Sequence, residues 1–198
     1  AKGLVEAGKF LEAEKALDAA RDAAKKVGET THEGQRVLTP DEVKGASVAL
    51  DAARAAAVSA LQFSPDDLNR LHVLEDIKKP VYRDMIKRLN DIRDQNKDIR
   101  FIYILRALPN GTYEFVADAD SLSPVAIKDL NGDGKLDEED EPAPTGTPYE
   151  NDDPVMPRGL FEPVTDDAPY SDQWGTYISG FAPIRDAAGH TTDMFLGV

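Results

Sequence analysis

Apolar positions along the chain follow two different periods, and the change of period divides it. Phe10, Ala13, Leu17, Ala20, Ala24 and Val27 recur at alternating steps of three and four, laying one apolar stripe along a helix. Gly28 ends that pattern, and residues 28–39 read as a polar connector. Thr39-Pro40-Asp41-Glu42 is a helix start. It offers a capping hydroxyl, a proline in the first turn and acids at the positive end of the helix dipole. The predicted helix runs from Asp41 to about Leu61. Both helices contain Ala-Leu-Asp-Ala-Ala-Arg, at Ala16–Arg21 and Ala49–Arg54. Two copies are too few for a stacked repeat, and Ala-rich helices share such runs by chance. Ser64-Pro65-Asp66-Asp67 starts another helix by the same chemistry. After Pro80 a strongly amphipathic helix follows, with Tyr82, Met85, Leu89 and Ile92 in its buried stripe and Arg83, Lys87, Asp91 and Asp94 facing out.

Near Ile99 the period shortens. Phe101-Ile102-Tyr103-Ile104-Leu105 is a buried strand, Pro109-Asn110-Gly111 a hairpin turn, and residues 112–117 the returning partner. Residues 118–172 are loop-rich, proline-rich and acidic, with few apolar positions to hold a regular element. They read as a long excursion. Trp174 to Ile184 and Thr191 to Val198 are expected to form a second hairpin around residues 185–189. The order of helices, strand pair, excursion and strand pair predicts an α+β fold with an antiparallel sheet. The organisation expected is an N-terminal helical segment over residues 1–62, a stalk or extra helical layer, and a strand-bearing domain over 63–198.

Composition narrows the function classes. The 198 residues are 41% hydrophobic and 30% charged, ordinary for a chain that buries a core. No stretch approaches the roughly 18 apolar residues needed to span a bilayer. With neither a signal-peptide pattern nor an initiator Met, and with Met194–Val198 ending in mid-strand, the chain reads as a piece of a longer protein. Cysteine is absent, which removes disulfides and thiolate metal sites. The charge is unevenly placed: residues 1–100 carry 18 basic and 18 acidic side chains, residues 101–198 carry 5 and 19, so the whole net charge of −14 sits in the second half. Such a field repels phosphate backbones and anionic lipid, and argues against nucleic-acid binding.

One segment carries explicit ligand chemistry. Asp129-Leu130-Asn131-Gly132-Asp133-Gly134-Lys135-Leu136-Asp137-Glu138-Glu139-Asp140 has the spacing of a calcium loop. Side-chain oxygens fall at positions 1, 3, 5, 9 and 12 (Asp129, Asn131, Asp133, Asp137 and Asp140), the Lys135 carbonyl stands at position 7, and glycine at position 6 allows the sharp turn. Calcium suits so many hard oxygens in loose geometry. Leu136 at position 8 is expected to anchor the loop to a core. Asp140 replaces the usual glutamate, as in extracellular loops of the dockerin type, which this stretch resembles. Pro142-Ala143-Pro144 forbids a long exiting helix, so the ion is expected to clamp the excursion.

No catalytic set is present: there is no His-Glu-x-x-His, no Gly-x-Ser-x-Gly and no Gly-rich phosphate loop, and His32, His72 and His190 stand in unrelated contexts. The expected class is therefore a binding module and not an enzyme.

The first strand reads Phe-Ile-Tyr-Ile-Leu-Arg from Phe101, and the second ends Phe-Val-Ala-Asp at Asp118. Downstream come Asp172-Gln173-Trp174-Gly175, Ser179-Gly180, Ala182-Pro183-Ile184 and finally Leu196-Gly197-Val198. Over residues 64–198 this resembles the Cache family of bacterial extracytoplasmic sensors, also called PDC or PAS-like domains. The resemblance implies a five-stranded antiparallel sheet, a long helix on one face and a ligand pocket on the other, under the excursion. It also implies a periplasmic location beside an inner membrane and a parent such as a histidine kinase, a diguanylate or adenylate cyclase, or a chemoreceptor. Residues 1–60 depart from the family's short lead-in helix, and a parallel homodimer through them is one expectation.

Tyr103, Asp118, Tyr170, Trp174, Tyr177 and Ser179 are the polar or aromatic groups near the implied pocket. Strand alternation puts Phe101, Tyr103 and Leu105 on one face and Ile102, Ile104 and Arg106 on the other, so Tyr103 and Arg106 cannot share a pocket. Trp174 reads as a core anchor or a ligand stacker, and Asp118 as a cap of the excursion or a ligand group. Gly175 and Gly180 suggest close backbone approach or a bulge. Two functions stand: a sensor that binds a small molecule and calcium, or a calcium-stabilised extracellular adhesion or scaffold-binding module.

Overall fold

The structure, a computed structural model, describes residues 40–121, 129, 134–136, 140–149, 153–172 and 175–198. The stripe from Phe10 to Val27 lies outside the described residues.

Helix α1 runs Pro40–Ala60, beginning at the proline of the start signal. Helix α2 is a single turn, Pro65–Leu68, followed by a 3-10 turn at Leu74–Lys78. The helix expected from Ser64 is thus cut short, and Arg106 supplies the reason. Its guanidinium, 5% exposed, donates to the carbonyls of Leu68 and Leu71 at 3.0 Å each, capturing acceptors that a longer helix would use internally. It also donates to Glu114 at 2.8 Å and to His72 Nδ1 at 3.0 Å. His72 therefore lies on a connection and not on a helix. Helix α3, Pro80–Gln95, buries Tyr82, Met85, Ile86, Leu89 and Ile92 and turns Arg83, Lys87, Asp91 and Asp94 outward, as its periodicity predicts.

The strands are β1 (Tyr103–Ala107), β2 (Tyr113–Asp118), β3 (Pro148–Tyr149), β4 (Val164–Thr165), β5 (Tyr170–Asp172), β6 (Gly175–Tyr177), β7 (Gly180–Arg185) and β8 (Thr191–Gly197). They build one antiparallel sheet of six, in the order β3-β2-β1-β8-β7-β4, and a separate β5–β6 ribbon. Five strands were expected. The sixth is a two-residue edge piece of the excursion, too short to show alternation in sequence. Both hairpin turns use glycine in the left-handed region, Gly111 at φ +85° and Gly189 at φ +88°.

The second hairpin is shorter than expected, because the strand read from Trp174 to Ile184 is broken. Tyr177 pairs back on Tyr170 in the ribbon, and only Gly180 onward joins β8. Ser179 makes the break. Its carbonyl accepts the Asp166 N–H at 3.1 Å and the Thr165 hydroxyl at 2.9 Å, and its own N–H goes to Asp166 Oδ2 at 2.7 Å. Gly180 then passes so close to α1 that a Cβ there would stand 2.4 Å from the Ala52 carbonyl carbon. The alanines of α1 and this glycine let helix and strand meet backbone to backbone.

The sheet has two apolar faces, as alternation in β1 requires. Ile102, Ile104, Ala182, Ile184, Met194 and Leu196 pack with Ala56 and Ala60 of α1 and the stripe of α3. Leu105, Phe115, Phe181 and Phe195 pack instead with Tyr149 and Met156 of the excursion. Residues 40–60 thus belong to the same core as the sheet. No described helix is long and apolar enough to cross a membrane.

Arg106 should be the most sensitive polar position of this core. Arg106→Ala takes the guanidinium from Glu114 and from the Leu71 carbonyl, while Leu68 keeps the Leu71 N–H, and about 3–5 kcal/mol of stability is expected to be lost in urea unfolding. A loss under 1 kcal/mol would show that the guanidinium is dispensable.

Candidate ligand-binding site

The site forms where the sheet ends. Asp118 closes β2 opposite Tyr103, the first residue of β1, and Tyr103 faces Gly197 of β8 on its other side. The Tyr103 ring lies across β8. A Cβ at position 197 would stand 2.6 Å from the ring carbon Cε2, so glycine there admits the aromatic side chain. Phe115 and Tyr149 complete a cluster of three rings, with centroids 5.8 and 6.0 Å from Tyr103 and 5.2 Å from one another.

A cavity of about 1010 Å³ opens beside these rings. Its other walls are α1, the end of α3, the connection into β1, and the segments at 141–143 and 177–179. It was expected on the face away from the helices. It lies instead at the end of the sheet, shared between the excursion face and the helices. β1 starts late: residues 96–101 carry no strand, and this irregular connection lines the cavity between the helices and the end of the sheet.

Of the six expected pocket residues, Tyr103, Asp118, Tyr177 and Ser179 line this cavity. Tyr177 sets its ring edge-on to Phe101 at 5.4 Å. Tyr170 is described only as the strand partner of Tyr177, and Trp174 lies outside the described residues. Arg106, on the opposite face, is absent from the lining.

Asp118 both caps the excursion and faces the cavity. Its Oδ1 accepts the Asp120 N–H at 3.1 Å, and its carbonyl accepts the Ser121 hydroxyl at 2.6 Å. Burial, with the neighbouring Asp120 charge, pushes its carboxyl up to about 7, against the opposing pull of the Asp120 and Ala143 amides and Arg93. Arg93 is committed elsewhere: it grips Asp120 through two bonds of 2.6 and 3.0 Å. Behind the Ser179 wall, Asp166 is likewise raised, to about 6, by burial and by the carboxyl of Asp153.

The calcium-type loop is described in part. Asp129 Oδ2 accepts the Gly134 N–H at 2.9 Å, and Gly134 has φ +86°, so the chain winds back on its first residue. Asp140 is buried and Lys135 exposed, while Asn131, Asp133 and Asp137 lie outside the described residues. Leu136 does not anchor the loop; it is 56% exposed. Among the described residues, no group of three or more His, Asp or Glu side chains is assembled around a common point.

Phe115, Tyr149 and Gly197 escaped the sequence reading. Phe115 could have been found by pairing β2 against β1, and Gly197 by asking what lies opposite Tyr103. Tyr149 stands alone in a proline-rich stretch with no pattern to recommend it. Compared with protein-family models, curated proteins and solved structures, the chain matches none.

The raised carboxyl gives a pH dependence of defined sign. Between about pH 4 and 7 the native protein holds a proton on Asp118 that the unfolded chain has released, so this group lowers stability as pH rises through that window. Asp118→Asn removes the charge at every pH. Its melting temperature should gain on the wild type from pH 5 to about pH 7 and hold that gain to pH 8 in parallel thermal melts. A constant difference across that range would rule out Asp118 as the titrating group.

Proposed function

We propose that this chain is an extracytoplasmic sensor module of a membrane signalling protein, acting by binding a small molecule and not by catalysis. The cavity at the end of the sheet carries this reading, because it collects Tyr103, Asp118, Tyr177 and Ser179 from segments far apart in sequence. Its volume falls at the upper end of the range usual for small-molecule sites. The five-strand run β2-β1-β8-β7-β4, with α3 against one face and the excursion against the other, supports a PAS-like arrangement. A guest bound there touches helices, sheet and excursion at once, and so has differential contacts with which to bias their relative positions.

The loop at 129–140 holds a structural calcium ion through Asp129, Asn131, Asp133, the Lys135 carbonyl, Asp137 and Asp140. The inward bond from Gly134 to Asp129 fits that role, since it fixes the first ligand within the turn. The ion offsets the repulsion among these carboxylates and ties down the start of the segment that continues into the cavity wall at 141–149.

Two measurements test the proposal. Millimolar calcium should raise the melting temperature by mass action on the native state, and Asp129→Ala with Asp133→Ala should abolish the gain. A melting curve indifferent to calcium and to chelation would remove the ion from the account. A thermal-shift screen of amino acids, carboxylates and amines should return at least one stabilising class that Tyr103→Ala weakens. A stabilising compound untouched by Tyr103→Ala and Ser179→Trp would bind elsewhere, and the cavity would lose its role.

A further inference from the structure

The distribution of charge around the cavity says what kind of guest it takes. Among the described residues, the cationic lining residues, Arg54, Arg88, Lys97 and Arg100, come from the helices and the connection into β1. Three of them are already engaged: Arg54 pairs with Asp51 at 3.9 Å, Arg88 donates to the Gln62 carbonyl and lies 5.7 Å over the Phe63 ring, and Arg100 lies 5.4 Å over Phe101. Among the described residues, the charged groups that the sheet and excursion contribute are carboxylates, Asp118, Asp120 and Glu141. Of these, Asp120 is neutralised by Arg93. Asp118 makes no ion pair among the described residues; its side chain meets backbone amides. At the aromatic end, then, a half-buried carboxylate with no ion pair among the described residues faces the same space as the rings of Tyr103, Phe115 and Tyr149.

That combination is poorly suited to anions and well suited to one class of guest. A carboxylate held in low dielectric gains most from an opposite charge brought to it. Ring faces attract the same sign of charge, and they accept an apolar body without unpaired polar groups. We infer that the cavity recognises a small organic cation, an ammonium group on an apolar body, seated with its charge on Asp118 and its body against Tyr103, Phe115 and Tyr149. This inference rests on the proposed guest-binding role of the cavity and names the class of guest.

The test uses three compounds that share one body and differ in charge: phenethylammonium, phenethyl alcohol and phenylpropionate. Calorimetric titration of the full chain at pH 8 should give the order ammonium tighter than alcohol, and alcohol tighter than the carboxylate. Asp118→Asn should weaken the ammonium by about thirtyfold and leave the alcohol nearly unchanged. If that variant loses the alcohol as well, Tyr149→Leu decides, since it should weaken the ammonium several-fold more than the alcohol. Equal binding of alcohol and ammonium, preference for phenylpropionate, or an ammonium affinity indifferent to both substitutions would overturn the cation reading and leave the cavity a binding site. Failure of all three compounds to bind the wild type at millimolar concentration would overturn both.

Discussion

The pairing of β1 with β8 is the constraint on which the rest of the structure depends. Tyr103 to Arg106 lie against Gly197 to Met194, joining two hairpins that the chain makes far apart. Each hairpin alone is a two-stranded ribbon, marginal in water. Side by side they make a surface wide enough to bury α1 and α3 on one face and the excursion on the other. Closing so long a loop costs conformational entropy, and the apolar contacts of both faces offset it only once the central pair has formed. The same pairing sets the position of the cavity, because Tyr103 and Gly197 are the last facing residues before the sheet stops. The ring that floors the cavity is held in place by the register that holds the sheet together.

How far this was legible from sequence depends on whether a segment carries a period. The stripe of α3 and the alternation in β1 were readable because each buries one side and wets or packs the other, which leaves a mark every two or every three to four residues. Both glycine turns were readable because positive φ leaves few residue choices. The broken strand at Ser179 was not. Residues 174–184 alternate well enough for one strand, and what interrupts them is a set of hydrogen bonds from Thr165 and Asp166, neither of which carries any local signal toward Ser179. The short α2 failed for the same reason. Its start signal is sound, but Arg106, far along the chain, takes its carbonyls. Local rules name what a segment prefers, and long-range polar contacts decide whether it is allowed.

The candidate site was legible in its parts and not in its assembly. Tyr103, Asp118, Tyr177 and Ser179 could be named because they are polar or aromatic groups in the segments beside the strand ends. The cavity's position at the end of the sheet follows from where β1 begins, and β1 begins two residues later than its apolar run. Phe101 and Ile102 are apolar enough to read as strand, yet Phe101 is spent instead on Tyr177 and Arg100. Outside the strand, Phe101 lines the cavity between the helices and the end of the sheet.

Asp118 shows why the alternatives of cap and ligand group need not exclude each other. A carboxylate that only capped the turn would be best placed in water, where its amide bonds cost no desolvation. One that only bound a guest would have no need of Asp120 and Ala143. Holding the amides fixes the direction of the carboxyl, and burial beside the rings raises the energy of its ionised form, while the nearby Arg93 is already paired with Asp120. The ionised carboxylate is therefore the strained form. Any guest that brings a positive charge relieves that strain, while a neutral guest gains only contact with the rings. Selectivity in this arrangement comes from what the protein leaves unpaired, and the two amides ensure that the unpaired group points the same way each time.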